Sequence, residues 1–387
     1  MIADITLKKK LLKLKKKIKF PNDLHKPSID KNDLLFLKKT IQKSEVSTYG
    51  RYSKQFETKI GSYLNTKNVI STVNGTSALE IILSYLNINN DHEILVQSFT
   101  FVASVNPIIH AGASPHFIDI SKETLGADPE KLDKYLSSSK FKKKNGYLIN
   151  KITNKRLKAI IITHSYGYPA NIEKIFKIAK KFKLVLIEDA AETLGTKYKD
   201  KKLGTYGDFS ILSFNGNKTI TTGGGGIIIS KKKKDILKIK HLITTSKKII
   251  DDEIYYDSPG YNYRMPSLNA ALGLSQLQKL RNILLLKKKL FFLYKNFFQN
   301  FPFLNIFNGF DNECKNNFWI ILIIFNPNKI SKNKFLKISK SINLSLKQVW
   351  RPLHTMSYLK NYQKMNLDNS NYVFKSTLCL PSSPDNL

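Results

Sequence analysis

Ala159-Ile-Ile-Ile-Thr163, then Asn171-Ile-Glu-Lys-Ile-Phe-Lys-Ile-Ala-Lys-Lys-Phe182, then Leu184-Val-Leu-Ile-Glu188 decide the fold class. The outer two are short apolar runs rich in isoleucine and valine, which is how a strand covered on both faces reads. The middle one carries Ile172, Ile175, Phe176 and Ala179 at helical spacing. Working outward, the same alternation runs from Gly61 to Ser230. Further strands are predicted at 69–73, 94–97, 116–118, 209–213 and 226–230, with helices at 77–86 and 129–136. That rhythm predicts an α/β fold with a large, mainly parallel sheet covered by helices on both faces. Sheets of this kind bind ligands at the carboxyl ends of their strands. Asn74, Phe99, His164, Asp189 and Ser213 all fall at or just after predicted strand ends, so they are expected to converge on one crevice.

The remainder organises around that core. Residues 266–294 read as one long helix joining two domains. The segment 318–325, a helix near 332–341 and a strand at 344–349 suggest a small α+β domain. The lysine-rich insertion 137–154 reads as an exposed loop. The expected division is a basic N-terminal arm at 1–28, a large domain at 29–255, and a linking helix with the small domain at 256–387.

A net charge of +35 over 387 residues first suggests nucleic acid or an anionic membrane. Nearly all of the excess is lysine, with Arg51, Arg156, Arg264, Arg281 and Arg351 the only arginines. Nucleic-acid surfaces favour arginine forks interleaved with aromatics, and abundant asparagine and isoleucine point instead to base composition. Nucleic-acid partners are therefore not expected. The two cysteines, Cys314 and Cys379, make no disulfide framework and show no metal-ligand spacing, so a reducing, cytoplasmic setting is expected. No apolar run reaches the length of a membrane span, and the basic N-terminus lacks the apolar centre of a secretory signal.

Lys218 stands out among the lysines by its surroundings. It lies in Ser213-Phe-Asn-Gly-Asn-Lys218-Thr-Ile-Thr-Thr-Gly223-Gly-Gly-Gly226, downstream of the apolar strand that closes on Asp189. The loop is neither a P-loop nor a dinucleotide fingerprint, because the glycine spacing is wrong for both. A lysine in such a loop, in the same chain as a carboxylate ending an apolar strand, is what pyridoxal phosphate (PLP) chemistry requires. The amine forms the Schiff base, and the carboxylate keeps the pyridine nitrogen protonated. Asn74-Gly-Thr76-Ser77-Ala-Leu follows a strand and opens a helix, which suits a phosphate cradle or an ordinary helix cap. Phe99-Thr-Phe101 brings aromatic faces to a strand end, suited to a flat ring or to core packing.

Taken in order, Asn74-Gly-Thr-Ser-Ala-Leu, Glu188-Asp-Ala-Ala-Glu192, Ser213-Phe-Asn-Gly-Asn-Lys218 and Gly260-Tyr-Asn262-Tyr-Arg264-Met resemble the DegT/StrS-type sugar aminotransferases. The likeness runs from about Asp30 to the C-terminus. The run around Lys218 is similar in particular to the bacillosamine and legionaminic acid branch. The resemblance implies the aspartate-aminotransferase fold (fold type I), with PLP joined to Lys218 and its ring nitrogen paired to Asp189. It implies a phosphate cradle of Thr76, Ser77 and Ser213, with Phe101 stacked on the ring. Glu192 stands where many members carry His or Gln near the cofactor's phenolic oxygen, and its role stays open. Asn262 and Arg264 match residues that reach a neighbouring subunit's site, which implies a homodimer with shared sites.

The implied reaction moves an amino group from glutamate to a keto group, at carbon 4, of a nucleotide-activated deoxysugar. A UDP-linked acetamido sugar destined for a surface glycan is the specific expectation. Substrate contacts are expected from Ser47, Tyr49, Arg264, Arg351 and His354. Three alternatives remain at this level. A sugar dehydratase of the same fold would carry His in place of Lys218, a cofactor-binding regulator would need an attached DNA-binding domain, and a basic nucleic-acid module would need neither lysine loop nor cofactor.

Overall fold

The computed structural model describes residues 2–18, 23–299, 301, 303–309, 313–344 and 346–387. Its centre is a mixed sheet whose main strands are β1 (Val69–Thr72), β2 (His92–Gln97), β3 (Ser114–Ile118), β4 (Arg156–Thr163), β5 (Val185–Asp189), β6 (Phe209–Ser213) and β7 (Gly226–Ser230). They lie side by side in the order β1-β7-β6-β5-β4-β2-β3. Only β7 runs antiparallel to its neighbours. The result is the mainly parallel α/β sheet expected from the alternation.

Ile160, Ile162, Leu186, Ile187, Ile211 and Ile228 are buried in the central strands. Burying each such side chain stabilises the fold by roughly 1.5–3 kcal/mol. Helix Gly75–Tyr85 packs Ala78, Leu79, Ile81, Ile82 and Leu83 inward, and Asn74 caps its start by accepting from the Ser77 N–H at 2.7 Å. Helix Ile172–Lys181 buries Ile172, Ile175, Ile178 and Ala179, with Lys180 and Lys181 placed favourably in its last turn.

The small domain has an antiparallel sheet in the order Leu304–Ile306, Ile321–Phe325, Thr377–Leu380, Lys347–Gln348. Helix Lys332–Lys340 packs there through Phe335. The strand expected at 344–349 is reduced to Lys347–Gln348, and Ser345 lies outside the described residues.

Two expectations change. The segment 137–154 is not a plain exposed loop but a hairpin, Phe141–Lys144 paired with Tyr147–Asn150, that adds to the sheet edge through Ile149 and Arg156. Phe141, Leu148 and Asn150 turn inward while Lys142, Lys143 and Lys144 coat the outside. The single long helix is two, Ser267–Gln278 and Leu280–Phe298, broken at Lys279. There the Lys279 ammonium bridges Asp30 at 2.8 Å and Asp33 at 2.6 Å, tying the joint to helix Lys31–Gln42. The basic N-terminal arm, expected as frayed or helical, is a helix over Ile2–Lys15. Leu11, Leu14 and Ile18 are buried with Leu290, Phe291, Tyr294 and Phe335.

Candidate active site

The sheet places its chemistry at one end. A cavity of about 360 Å³ opens where β5 and β6 end and helix Gly75–Tyr85 begins. Thr76, Phe101, Asp189, Glu192, Ser213 and Lys218 line it, together with Trp319 and Trp350. A larger hollow of about 590 Å³ lies beside Gly207, just before β6, and Ser230, at the end of β7, and holds none of the residues singled out by the sequence.

Asp189 closes the central strand β5, held in register between Thr163 of β4 and Ile211 of β6. Its Oδ2 accepts from the Ser104 hydroxyl at 2.5 Å and its Oδ1 from the Ala191 N–H at 3.2 Å. A carboxylate this buried calls for a cation, and no ion pair to Asp189 exists among the described residues.

Lys218 hangs into the same space from the loop between β6 and β7. Its ammonium lies 3.0 Å from Glu192 Oε1 and 4.2 Å from the centre of the Trp319 ring. The Trp319 indole N–H donates to the Asn217 carbonyl at 2.7 Å, which pins the loop one residue before the lysine. Glu192 is fully buried, and its Oε2 accepts from the Tyr166 N–H at 2.7 Å. Burial drives its pKa up to about 7, against the opposing pull of Lys218. Tyr166 adopts a left-handed backbone (φ 58°, ψ 19°) that aims this N–H at Glu192, and its ring stacks on Trp350 at 4.0 Å.

The phosphate cradle forms in part. Gly75 and Thr76 begin a helix, so their amides have no partner within it, and both line the cavity opposite Ser213. A Cβ on Gly75 would come within 3.1 Å of Ser213 Cβ, so glycine allows this close approach. Ser77 does not line the cavity, because its amide is spent on the Asn74 cap. Phe99 and His164 also leave the expected crevice. Phe99 is wholly buried, and His164 Nε2 pairs with Glu188 Oε2 at 3.1 Å. Glu188 further accepts from the Gly204, Tyr206 and Gly207 amides and is structural.

Ser47, Tyr49, Asn262 and Arg264 form a separate group that does not line this cavity. Tyr49 is 71% exposed with the Arg264 guanidinium 4.8 Å from its ring centre. The Ser47 carbonyl accepts from the Ser267 N–H at 2.7 Å, and Asn262 bridges to Thr244. His354 Nδ1 lies 2.6 Å from the Ser98 hydroxyl, its pKa held down by burial and then by Lys364. Arg351 is exposed beside the ring of Phe374. Ser104, Tyr166 and Trp319 escaped the sequence reading. Ser104 and Tyr166 lie in short irregular turns with no motif, and Trp319 sits in a run that reads only as strand.

An amine, a buried carboxylate and a helix start meet on one α/β crevice. Residues 27–386 match the DegT/DnrJ/EryC1/StrS aminotransferase family model. The chain is 31% identical over 364 residues to the GDP-perosamine synthase of Vibrio cholerae, covering 93% of this chain and 94% of that one. It is 28% identical over 358 residues to the UDP-4-amino-4,6-dideoxy-N-acetyl-beta-L-altrosamine transaminase of Campylobacter jejuni serotype O:23/36, covering 92% and 90%. A Streptococcus pneumoniae protein solved in its PLP form superposes with a TM-score of 0.82 at 20% identity, covering 93% of each chain. The chain belongs to the DegT/DnrJ/EryC1/StrS aminotransferase family. It is an aminotransferase of fold type I, and its cofactor is PLP.

Proposed function

We propose that the chain transfers an amino group from glutamate to the 4-keto group of a nucleotide-activated 6-deoxysugar, a UDP-linked acetamido sugar in the finer reading. The observation that carries it is the Lys218–Glu192 contact of 3.0 Å in the cavity that also holds Asp189. Amination at carbon 4 is supported by the name of the Campylobacter relative, a transaminase named for a UDP-linked 4-amino-4,6-dideoxy sugar. The Vibrio relative is named for GDP-perosamine, so a GDP-linked sugar is the second reading.

When bound, PLP supplies a carbon that carries the amino group and a ring that accepts electrons. Lys218 would anchor it and, as the free amine, would take up or deliver the proton at carbon 4 of the sugar. Asp189 keeps the proton on the ring nitrogen, since an adjacent carboxylate favours the charged form. The first-turn amides of Gly75 and Thr76, with the Thr76 and Ser213 hydroxyls, hold the phosphate. Phe101, 53% exposed, offers its face to the ring. Glu192 sits against Lys218, and Trp319 and Trp350 wall the space from water.

A homodimer with shared sites belongs to the same reading. The hairpin Lys247–Ile250 with Glu253–Tyr256 exposes Ile249, Ile250, Ile254, Tyr255 and Tyr256 together. An apolar surface of that kind favours a protein partner, and a second copy would bring Asn262 and Arg264 to its neighbour's cavity. The free cysteines Cys314 and Cys379 accord with a cytoplasmic setting, and no described helix is long and apolar enough to cross a membrane.

The test is an absorbance spectrum before and after glutamate, followed by UDP-, GDP- and dTDP-linked 4-keto sugars with mass detection of the amino product. A visible band that glutamate shifts to the near-ultraviolet, with amination of one sugar, supports the proposal. A loaded protein that aminates no nucleotide sugar refutes the acceptor, and one that ignores glutamate refutes the donor.

A further inference from the structure

On the small domain, two cations share one aromatic ring. The Lys332 ammonium lies 3.3 Å from the ring centre of Phe374 and donates to the Phe374 carbonyl at 2.8 Å. The Arg351 guanidinium lies 5.5 Å from the same ring centre. Among the described residues, neither forms an ion pair with a carboxylate. Burial, and then the charge of Arg351, bring the Lys332 pKa down to about 8. Two like charges held together without a counter-charge leave a site that an anion would relieve.

The position says which anion. Arg351 directly follows Trp350, which lines the cavity and whose ring lies 6.3 Å from that of Phe101. Arg351 is thus joined directly to a residue of the cavity lining, so the groups of a substrate beyond its sugar can extend to it. We propose that Lys332, Arg351 and the face of Phe374 form the subsite for the diphosphate of the substrate, an inference that rests on the nucleotide-sugar reading. A diphosphate carries a charge on each phosphoryl group. The planar fork of Arg351 suits paired oxygens, and the Lys332 ammonium supplies a compact point charge. Phe374 shields one side of both cations from water, which strengthens their attraction for the anion.

The test uses full-length PLP-loaded enzyme and the variants Lys332→Gln, Arg351→Gln and Lys332→Arg. UDP, GDP, inorganic pyrophosphate and inorganic phosphate are titrated by calorimetry, and kcat and KM are measured with the sugar that the wild type aminates. The glutamate-driven spectral shift reports an intact fold and cofactor site in each variant. Lys332→Gln and Arg351→Gln are each expected to raise the nucleoside diphosphate Kd and the sugar KM about tenfold. Their kcat and glutamate response should stay unchanged, and Lys332→Arg should restore binding to within about threefold. Unchanged diphosphate binding in both glutamine variants overturns the subsite, as does a loss confined to the glutamate step. Binding of pyrophosphate or phosphate without UDP or GDP makes it a free-anion site and overturns the proposal. A wild type that responds to glutamate yet binds no nucleoside diphosphate and aminates no nucleotide sugar refutes the underlying reading instead, and the subsite with it.

Discussion

Replacing Glu192 by Gln isolates the most strongly perturbed acid in the cavity. The carboxyl is fully buried, touches the Lys218 ammonium at 3.0 Å and the Tyr166 N–H at 2.7 Å, and feels the repulsion of Asp189. Its pKa rises from 4.5 to about 7, with burial the largest cause. Between those values the folded protein binds more protons at this position than the unfolded chain. The contribution to stability is therefore fully present below pH 4.5 and is lost as pH rises through 7. The interval corresponds to about 3 kcal/mol. Glutamine does not titrate, so the stability difference, wild type minus Glu192→Gln, should fall by about 3 kcal/mol between pH 4.5 and 8. Urea unfolding of both cofactor-free proteins at fixed concentration across that range measures it. A difference that stays flat, or that rises with pH, would refute the claim that burial outweighs Lys218 at this carboxyl.

Lys218→Ala should lower turnover by at least ~10⁴-fold and abolish the glutamate-driven spectral shift, and near-wild-type amination would end the lysine mechanism. Trp319→Phe removes the hydrogen bond to the Asn217 carbonyl, worth about 1 kcal/mol, so PLP affinity should drop several-fold. Affinity equal to the wild type, measured by equilibrium dialysis, would show that the indole does not hold the lysine loop. Leu14→Ala should destabilise the protein by about 3 kcal/mol, because Leu14 is fully buried against the small domain. Denaturation midpoints matching the wild type would mean that the N-terminal helix does not dock in solution.

The central strands were legible because a strand covered on both faces is largely apolar, and β4 through β7 carry the apolar runs Ala159–Ile162, Val185–Ile187, Ile211–Leu212 and Ile227–Ile229. Their carboxyl ends were legible for the same reason, since the apolar runs of β5 and β6 give way to polar groups at Glu188-Asp189 and at Ser213. The rule failed at Phe99 and His164, which also follow strands. A strand end sets depth in the sheet but not the direction of the next side chain, and those two turn into the core. The segment 137–154 misled because its lysines cover only one side of the hairpin, leaving Phe141, Leu148 and Asn150 for the other. The break at Lys279 carries no Gly or Pro, and the carboxylates that pair with Lys279 there, Asp30 and Asp33, lie some 250 residues away in the chain.

Local pattern alone determined the α/β class and singled out Lys218, Asp189 and the helix start at Gly75, which line one cavity. Each of these depends on neighbours within a few residues, where periodicity and backbone chemistry leave few choices. Only the tertiary structure decided that Glu192 touches Lys218, that Trp319 pins the lysine loop, and that Lys332 and Arg351 share Phe374. Those contacts join residues 26 to 102 positions apart or lie across separate elements. Nothing in a linear pattern encodes such a distance, because burial and charge pairing arise only once the sheet and the small domain have packed together.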